Sequence, residues 1–268
     1  MSTSKAKNAI GVFDSGLGGL TVVKEIIKLL PNESIVYYGD TARVPYGTKS
    51  KESIIRFSHE NTEELVKHNV KIVVVACNSS SSYALQDLQK KFKVPILGVI
   101  EPGAIRACQK TRSNRIGIIA TSATINSQEY EKAIKRHNRA AKVYAQACPL
   151  FVPLVEEGWM NSSVAKDIAT EYLKPLKRKK IDTLILGCTH YPLLKQTLRK
   201  VMGKEVLLID SAQQMAANVR DVLNEQGLLF GKKRKPQHRF IVNDRPQNFE
   251  TIARKFLGFE LNKGIQYV

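Results

Sequence analysis

The chain has 268 residues, is 43% hydrophobic and carries a formal charge of +18, which is enough apolar sequence for one large α/β domain or two of similar size. No run approaches about eighteen consecutive apolar residues, which argues against a membrane span, and Met1–Lys7 is polar and basic without the apolar core of a signal peptide. Four cysteines with no CxxC pair argue against a disulfide framework and fit reduced thiols in a cytoplasm.

In chain order, Ile10–Phe13 is predicted as a strand, Asp14-Ser15-Gly16-Leu17-Gly18-Gly19 as the turn after it, and Leu20–Leu30 as a helix that Pro31 stops. A strand at Ser34–Tyr38 leads into the loop Gly39–Gly47, then a long amphipathic helix from about Ser50 to His68. Val73-Val74-Val75-Ala76 is too short for a helix and rich in β-branched residues, so it reads as a buried strand, and it ends at Cys77-Asn78-Ser79-Ser80. A helix at Tyr83–Lys91 and a strand at Pro95–Ile100 follow.

The second part echoes the first. Asn114–Ile119 resembles Asn8–Phe13 at an offset of 106 (116 less 10), and Thr183–Gly187 ends in Cys188-Thr189-His190, 111 positions (188 less 77) after Cys77. Helices are predicted at Ser127–His137, Ser163–Leu176, Leu193–Val201 and Ser211–Gln226, and a strand at Val206–Ile209. Phe240–Val242 and a helix at Phe249–Leu257 have no echo and are expected to return to the first half. Alternating strands and helices give an α/β fold of two pseudo-symmetric αβ domains with mainly parallel sheets and the active site between them. The expected division is 1–98 with 211–268 for one domain and 99–210 for the other.

The charge raises a nucleic-acid reading. Its clusters, Lys177–Lys180 and Lys232–Lys235, lie in expected loops or helix ends without interleaved aromatic residues, so a basic solvated surface is the plainer account. Among chemical motifs, a thiol at a strand end meets backbone N–H groups of the helix that follows, which suits it to work as a thiolate. Cys108 and Cys148 read as inert core thiols. Cys188-Thr189-His190 offers two metal-ligand types but not the four that zinc wants, so no metal is expected. The turn Gly16-Leu17-Gly18-Gly19 lacks the spacing of dinucleotide or Walker loops. Hydrophobic-Asp-Ser-Gly also occurs in aspartic proteases, which are β-rich, unlike this chain. Asp14 and Ser15 either face a ligand or cap the helix that follows. His190 and Glu156 are titratable groups able to tune a thiol or relay a proton.

Four segments in one order carry a more specific signal: Gly11–Thr21, Tyr38–Gly47, Ala76–Ser79 and Leu186–Pro192. Together they resemble the cofactor-independent glutamate racemases of the aspartate/glutamate racemase superfamily, over nearly the whole chain. The resemblance implies Cys77 and Cys188 as the catalytic pair, with no cofactor. It implies substrate contacts at Asp14, Ser15, Tyr46, Gly47, Asn78, Ser79, Thr121, Thr124, Thr189 and His190, and Asp14, Glu156 and His190 as auxiliary acids or bases. Asp14 is then the partner of Cys77, and His190 that of Cys188. Ser79 stands where threonine is usual, and Ala120 and Ala123 stand where glycines often flank the threonines. The implied protein is a cytoplasmic homodimer acting on glutamate for peptidoglycan synthesis, with no membrane and no required nucleic-acid partner. The rivals are an aspartate or related racemase and, from another class, a basic nucleic-acid-binding α/β protein.

Overall fold

The computed structural model describes residues 3–244, 249–258 and 265–267. The first sheet holds β1 (Ile10–Asp14), β2 (Ile35–Gly39), β3 (Ile72–Val75) and β4 (Ile96–Gly98). The second holds β5 (Arg115–Ala120), β6 (Lys142–Ala147), β7 (Thr183–Gly187) and β8 (Leu207–Asp210). From the C-terminal part, β9 (Arg239–Val242) and β10 (Ile265–Tyr267) join the first sheet beyond β2. The orders are β10-β9-β2-β1-β3-β4 and β6-β5-β7-β8, and every pairing is parallel. The echo read from the sequence is thus a topological repeat, since β2-β1-β3-β4 and β6-β5-β7-β8 follow the same winding.

Strands β1, β2, β3 and β7 are buried along their whole length, which is why their sequences run apolar rather than alternating. The longer helices begin at side-chain caps. Ser50 Oγ accepts from Ser53 N at 3.2 Å to start Lys51–Lys67, and Ser162 Oγ accepts from Ala165 N at 3.1 Å to start Ser163–Arg178. Asp210 Oδ1 accepts from Ala212 N at 2.9 Å and starts Ser211–Glu225. That last helix packs on Leu20–Leu29 and on Ile100–Lys110, so its buried Met215 and Val219 lie in one apolar cluster with Ile10 and Val12 of β1 and Leu184 and Leu186 of β7. Among the described residues no helix is long and apolar enough to cross a membrane.

Several local expectations need correction. The helix expected at Tyr83–Lys91 runs from Leu85 to Lys91, and a further short helix, Asn78–Tyr83, precedes it directly after Cys77. Ser81 Oγ donates to Val75 O at 2.9 Å and Ser82 Oγ to Asn78 O at 2.8 Å, so these two hydroxyls are satisfied by backbone carbonyls. The strand expected to reach Ile100 stops at Gly98, and Ile100–Lys110 is a helix with Pro102 in its first turn, where a missing N–H costs nothing. The helix expected at Ser127–His137 runs from Glu129 to His137, and an unexpected short helix, Ser122–Ser127, precedes it, the two separated where Gln128 takes a left-handed φ of 59°. Two elements escaped the pattern reading: the edge strand β6, which is half-exposed and lacks a continuous apolar run, and the helix Phe151–Glu156, whose apolar run is only six residues long and is interrupted by Pro153.

One buried ion pair ties the N-terminal segment to the segment after the helix Ser211–Glu225. Lys71 Nζ donates to Glu33 Oε2 at 2.6 Å, Ala6 O at 2.8 Å and Leu228 O at 2.9 Å, while Glu33 Oε1 accepts from Phe230 N at 2.8 Å. Both side chains are almost wholly excluded from solvent. Removing one partner leaves a buried charge, which costs about 3–5 kcal/mol, whereas removing both charges costs far less. Urea unfolding of Lys71→Met is therefore expected to show a loss of that size. Adding Glu33→Gln, which keeps an acceptor for Phe230 N, should restore more than half of it.

Candidate active site

The parallel register brings four strand ends to one place. Phe13 of β1 lies beside Val75 of β3, so Asp14-Ser15 and Cys77 leave the first sheet together. Ala120 of β5 lies beside Gly187 of β7, so Thr121 and Cys188 leave the second sheet together. Ligand sites of open parallel sheets lie beyond such carboxyl ends. Here the ends of both sheets line one cavity through Ser15, Tyr46, Gly47, Cys77, Asn78, Ser79, Thr121, Cys188, Thr189 and His190. Pro45, Val152 and Gly187 complete its wall, and its volume is about 10 Å³, no more than one water molecule needs. Both thiols, expected to face one site, do so.

Three residues expected at the site stand one hydrogen bond behind the wall. Asp14 is fully buried and accepts from Thr189 Oγ1 at 3.3 Å and Gly16 N at 3.2 Å. Thr124 Oγ1 forms a triangle of hydroxyls with Thr121 (3.2 Å) and Ser79 (3.3 Å), closed by Ser79 to Thr121 at 3.0 Å. Ser79, the departure from threonine, keeps the oxygen this triangle needs. Glu156 Oε1 lies 2.5 Å from His190 Nε2, and His190 Nδ1 lies 3.9 Å from Cys188 Sγ. Ala120 is buried in β5 opposite Gly187, and Ala123 packs with Tyr46, Phe57 and Cys77, so both departures are absorbed by packing.

Two glycines are required by closeness. A Cβ on Gly47 would lie 2.3 Å from Thr121 Cβ, and one on Gly18 would lie 2.2 Å from Thr189 Oγ1 and 2.7 Å from His190 Nδ1. The Asp-Ser-Gly-Leu-Gly-Gly turn of one half therefore presses directly on the Cys-Thr-His segment of the other. Positioning residues that the sequence did not reveal sit behind the wall. The Tyr46 hydroxyl donates to Asp40 and accepts from Asn61 Nδ2 at 3.0 Å, and Tyr130 OH donates to Asn78 Oδ1 at 2.8 Å. The separations, 6 residues to Asp40, 15 to Asn61 and 52 between Asn78 and Tyr130, follow no helical or strand period, so no spacing signals them. Among the described residues no group of three His, Cys, Asp or Glu side chains is placed to hold a metal.

The electrostatics differ at the two thiols. Burial, helped by the Asp14 carboxylate, pushes the Cys77 thiol up to about 11, against the opposing hydrogen bonds of Ser80 and Ser15. Asp14 is itself raised by burial, opposed by the charge of His190 and by the N–H groups of Gly19 and Gly16. Burial works against a charged His190, yet hydrogen bonds and charge from Cys188 and Glu156 hold it well above the usual imidazole range. Burial likewise opposes a charged Glu156, and the His190 bond outweighs it, leaving the carboxyl below its usual range.

These directions fix a pH dependence of stability. The contribution of His190, raised above its unfolded value of 6.5, is complete below that pH and is lost as pH rises through the folded value. The contribution of Glu156, lowered below 4.5, is complete above that pH and is lost as pH falls through the folded value. Glu156→Gln is therefore expected to cost about 1.5–3 kcal/mol between about pH 5 and 6.5 and less at alkaline pH. Chemical unfolding of both proteins across pH checks this, and a pH-independent difference would contradict it.

Sequence and structure comparisons agree with this geometry. The profile of the Asp/Glu/Hydantoin racemase family matches residues 10–219. The chain is similar to a glutamate racemase of Geobacter metallireducens, with 51% identity over 253 residues and 94% of each chain covered. It is also similar to one of Neisseria meningitidis serogroup A, with 50% identity over 250 residues, covering 93% of this chain and 92% of the relative. Among solved structures, glutamate racemase from Francisella tularensis subsp. tularensis SCHU S4, in complex with D-glutamate, superposes with a TM-score of 0.92 at 39% identity and 98% coverage of both chains. With two like-wound parallel sheets meeting at a pair of thiols, the chain belongs to the Asp/Glu/Hydantoin racemase family, among its glutamate racemases.

Proposed function

We propose that this chain interconverts L- and D-glutamate by cofactor-independent proton transfer between Cys77 and Cys188. The observation that carries the reading is that the two thiols line one cavity from the ends of two different sheets. One Sγ, as thiolate, takes the proton from Cα on one face, and the electron pair stays on the substrate as a carbanion. The opposite Sγ–H then gives its proton to the other face, which inverts the centre and leaves the thiol and thiolate roles exchanged. The protons belong to the pair, so the two titrations are coupled.

Removing a proton beside a carboxylate demands strong stabilisation of developing charge, supplied by fixed donors in a site that excludes water. The candidates here are the hydroxyls of Ser15, Ser79, Thr121 and Thr189, the Asn78 amide and backbone N–H groups at the two strand ends. Asp14 serves Cys77, and His190, held by Glu156, serves Cys188. A cavity of about 10 Å³ does not hold an amino acid, so the reading requires the two strand-end walls to part on substrate entry. In this reading 1–98 with 211–268 and 99–210 are the two units that part. Consistent with the relatives' activity, the product is D-glutamate for peptidoglycan, made in the cytoplasm by a homodimer.

The test is incubation with L-glutamate in D2O without added cofactor, reading D-glutamate and α-deuterium together, with L-aspartate alongside. Solvent deuterium is expected in the D-glutamate formed, and Cys77→Ala and Cys188→Ala should each lower racemisation by at least about 10²–10⁴-fold. Turnover of aspartate alone would move the reading to an aspartate racemase. Absence of turnover with either amino acid would sink it.

A further inference from the structure

The helix Asn78–Tyr83 carries the serine run Ser79-Ser80-Ser81-Ser82, and most of its hydroxyls are accounted for. Ser79 Oγ lies 3.0 Å from Thr121 Oγ1, Ser81 Oγ donates to Val75 O at 2.9 Å, and Ser82 Oγ donates to Asn78 O at 2.8 Å. Ser80 differs. It is wholly inaccessible to solvent, and its Oγ has no hydrogen-bond partner among the described residues. Folded proteins leave few buried hydroxyls unpaired, because each forfeits its hydration without return.

The backbone shows what this hydroxyl faces. Ser81 N donates to Cys77 O at 2.9 Å, the first bond of the helix, and Cys77 is its N-cap. Ser80 is the third helical residue, and the side chain of an N-cap lies against the N–H of that position. The N–H and the O–H of Ser80 both converge on Cys77 Sγ, where they favour a thiolate over a thiol. A neutral thiol is a weak acceptor, whereas a thiolate makes a charge-assisted bond. Ser80 Oγ thus lacks a partner while Cys77 holds its proton and gains one when the proton leaves. Ser80 does not line the cavity, so substrate does not compete for its hydroxyl.

Cys188 has no counterpart. Three residues beyond it stands Tyr191, whose hydroxyl donates to Cys148 O at 2.8 Å. The charge beside Cys188 is instead that of His190. The titratable groups around Cys77 are Asp14, Tyr37 and Tyr46 from its own half and Cys188 and His190 across the cavity, and Asp14 works against a thiolate. We propose that the Ser80 hydroxyl is a donor reserved for the Cys77 thiolate, acting through Cys77 without touching substrate. The inference rests on the two-thiol proton transfer proposed above, in which Cys77 must shed its proton beside a carboxylate. It makes Ser80 a positioning residue whose effect falls on turnover and not on substrate affinity.

Racemisation by the full chain and by Ser80→Ala, with circular dichroism and Tm of both, is the first arm of the test. kcat/KM is expected to fall about tenfold to a hundredfold through kcat, with KM within about twofold. Tm should not fall, because the hydroxyl removed has no partner in the resting protein. The second arm does not depend on turnover. In the Cys188→Ala background, the rate at which methyl methanethiosulfonate labels Cys77 at fixed pH follows its thiolate fraction, and Ser80→Ala should slow it about tenfold. Labelling at an unchanged rate would overturn the role of Ser80, whatever the turnover. A loss of kcat matched by a loss of Tm would also overturn it, since a purely structural serine behaves that way. If the unaltered chain racemises glutamate, either result leaves the racemase reading standing. If it does not, that reading fails and the labelling rate alone decides whether Ser80 serves Cys77.

Discussion

A parallel strand pair delivers the residues that follow it to a single edge of the sheet, and in this protein two such edges are pressed together. Because Phe13 aligns with Val75 and Ala120 with Gly187, the residues after each strand have no freedom about where they emerge. Backbone register thus fixes where Cys77 and Cys188 leave their own sheets, and the meeting of the two sheet ends puts both thiols on one cavity. The glycines at 18 and 47 express the same constraint from the other side, since the two halves approach so closely there that no Cβ fits.

The closeness has an electrostatic consequence. Asp14, Cys77, Cys188 and His190 are all nearly inaccessible to solvent, so their charges are balanced by one another more than by water. The balance is unequal. The first thiol shares its surroundings with a carboxylate and is pushed toward its protonated form, while the second stands beside an imidazole that Glu156 keeps charged.

The charge of +18 is unevenly arranged. Much of it is dispersed over helix surfaces, where pairs such as Lys67–Glu64 and Lys132–Glu129 are exposed and contribute little. Around Arg234 the arrangement is different, because the carboxylate that could have answered it, Glu33, is committed to the buried Lys71. Of the basic cluster Lys232–Lys235, which reads in the sequence as a solvated loop, Arg234 and Lys235 line a recess beside an ion pair that no sequence pattern announces.

The sequence by itself determined what local physics controls. Apolar β-branched runs specified the central strands, serine and aspartate caps placed the long helices, and the repeated strand-cysteine segments disclosed a two-fold winding. The four motifs carried the two thiols and their immediate neighbours. Elements without a strong periodic signal stayed hidden. The edge strand β6 is half-exposed, Ile100–Lys110 carries Pro102 in its first turn, and the helix after Cys77 is rich in serines, of which Ser81 and Ser82 bond to backbone carbonyls. Only the tertiary structure decided that Tyr46 leans on Asp40 and Asn61, that Asn78 is held by Tyr130, and that Ser79 joins Thr121 and Thr124. It likewise decided that Lys71 answers Glu33 while Arg234 keeps a free donor. The reason is that a polar side chain's partner is set by which elements pack together. The separation along the chain, 42 residues for Ser79 and Thr121 and 52 for Asn78 and Tyr130, holds no periodic trace of that packing.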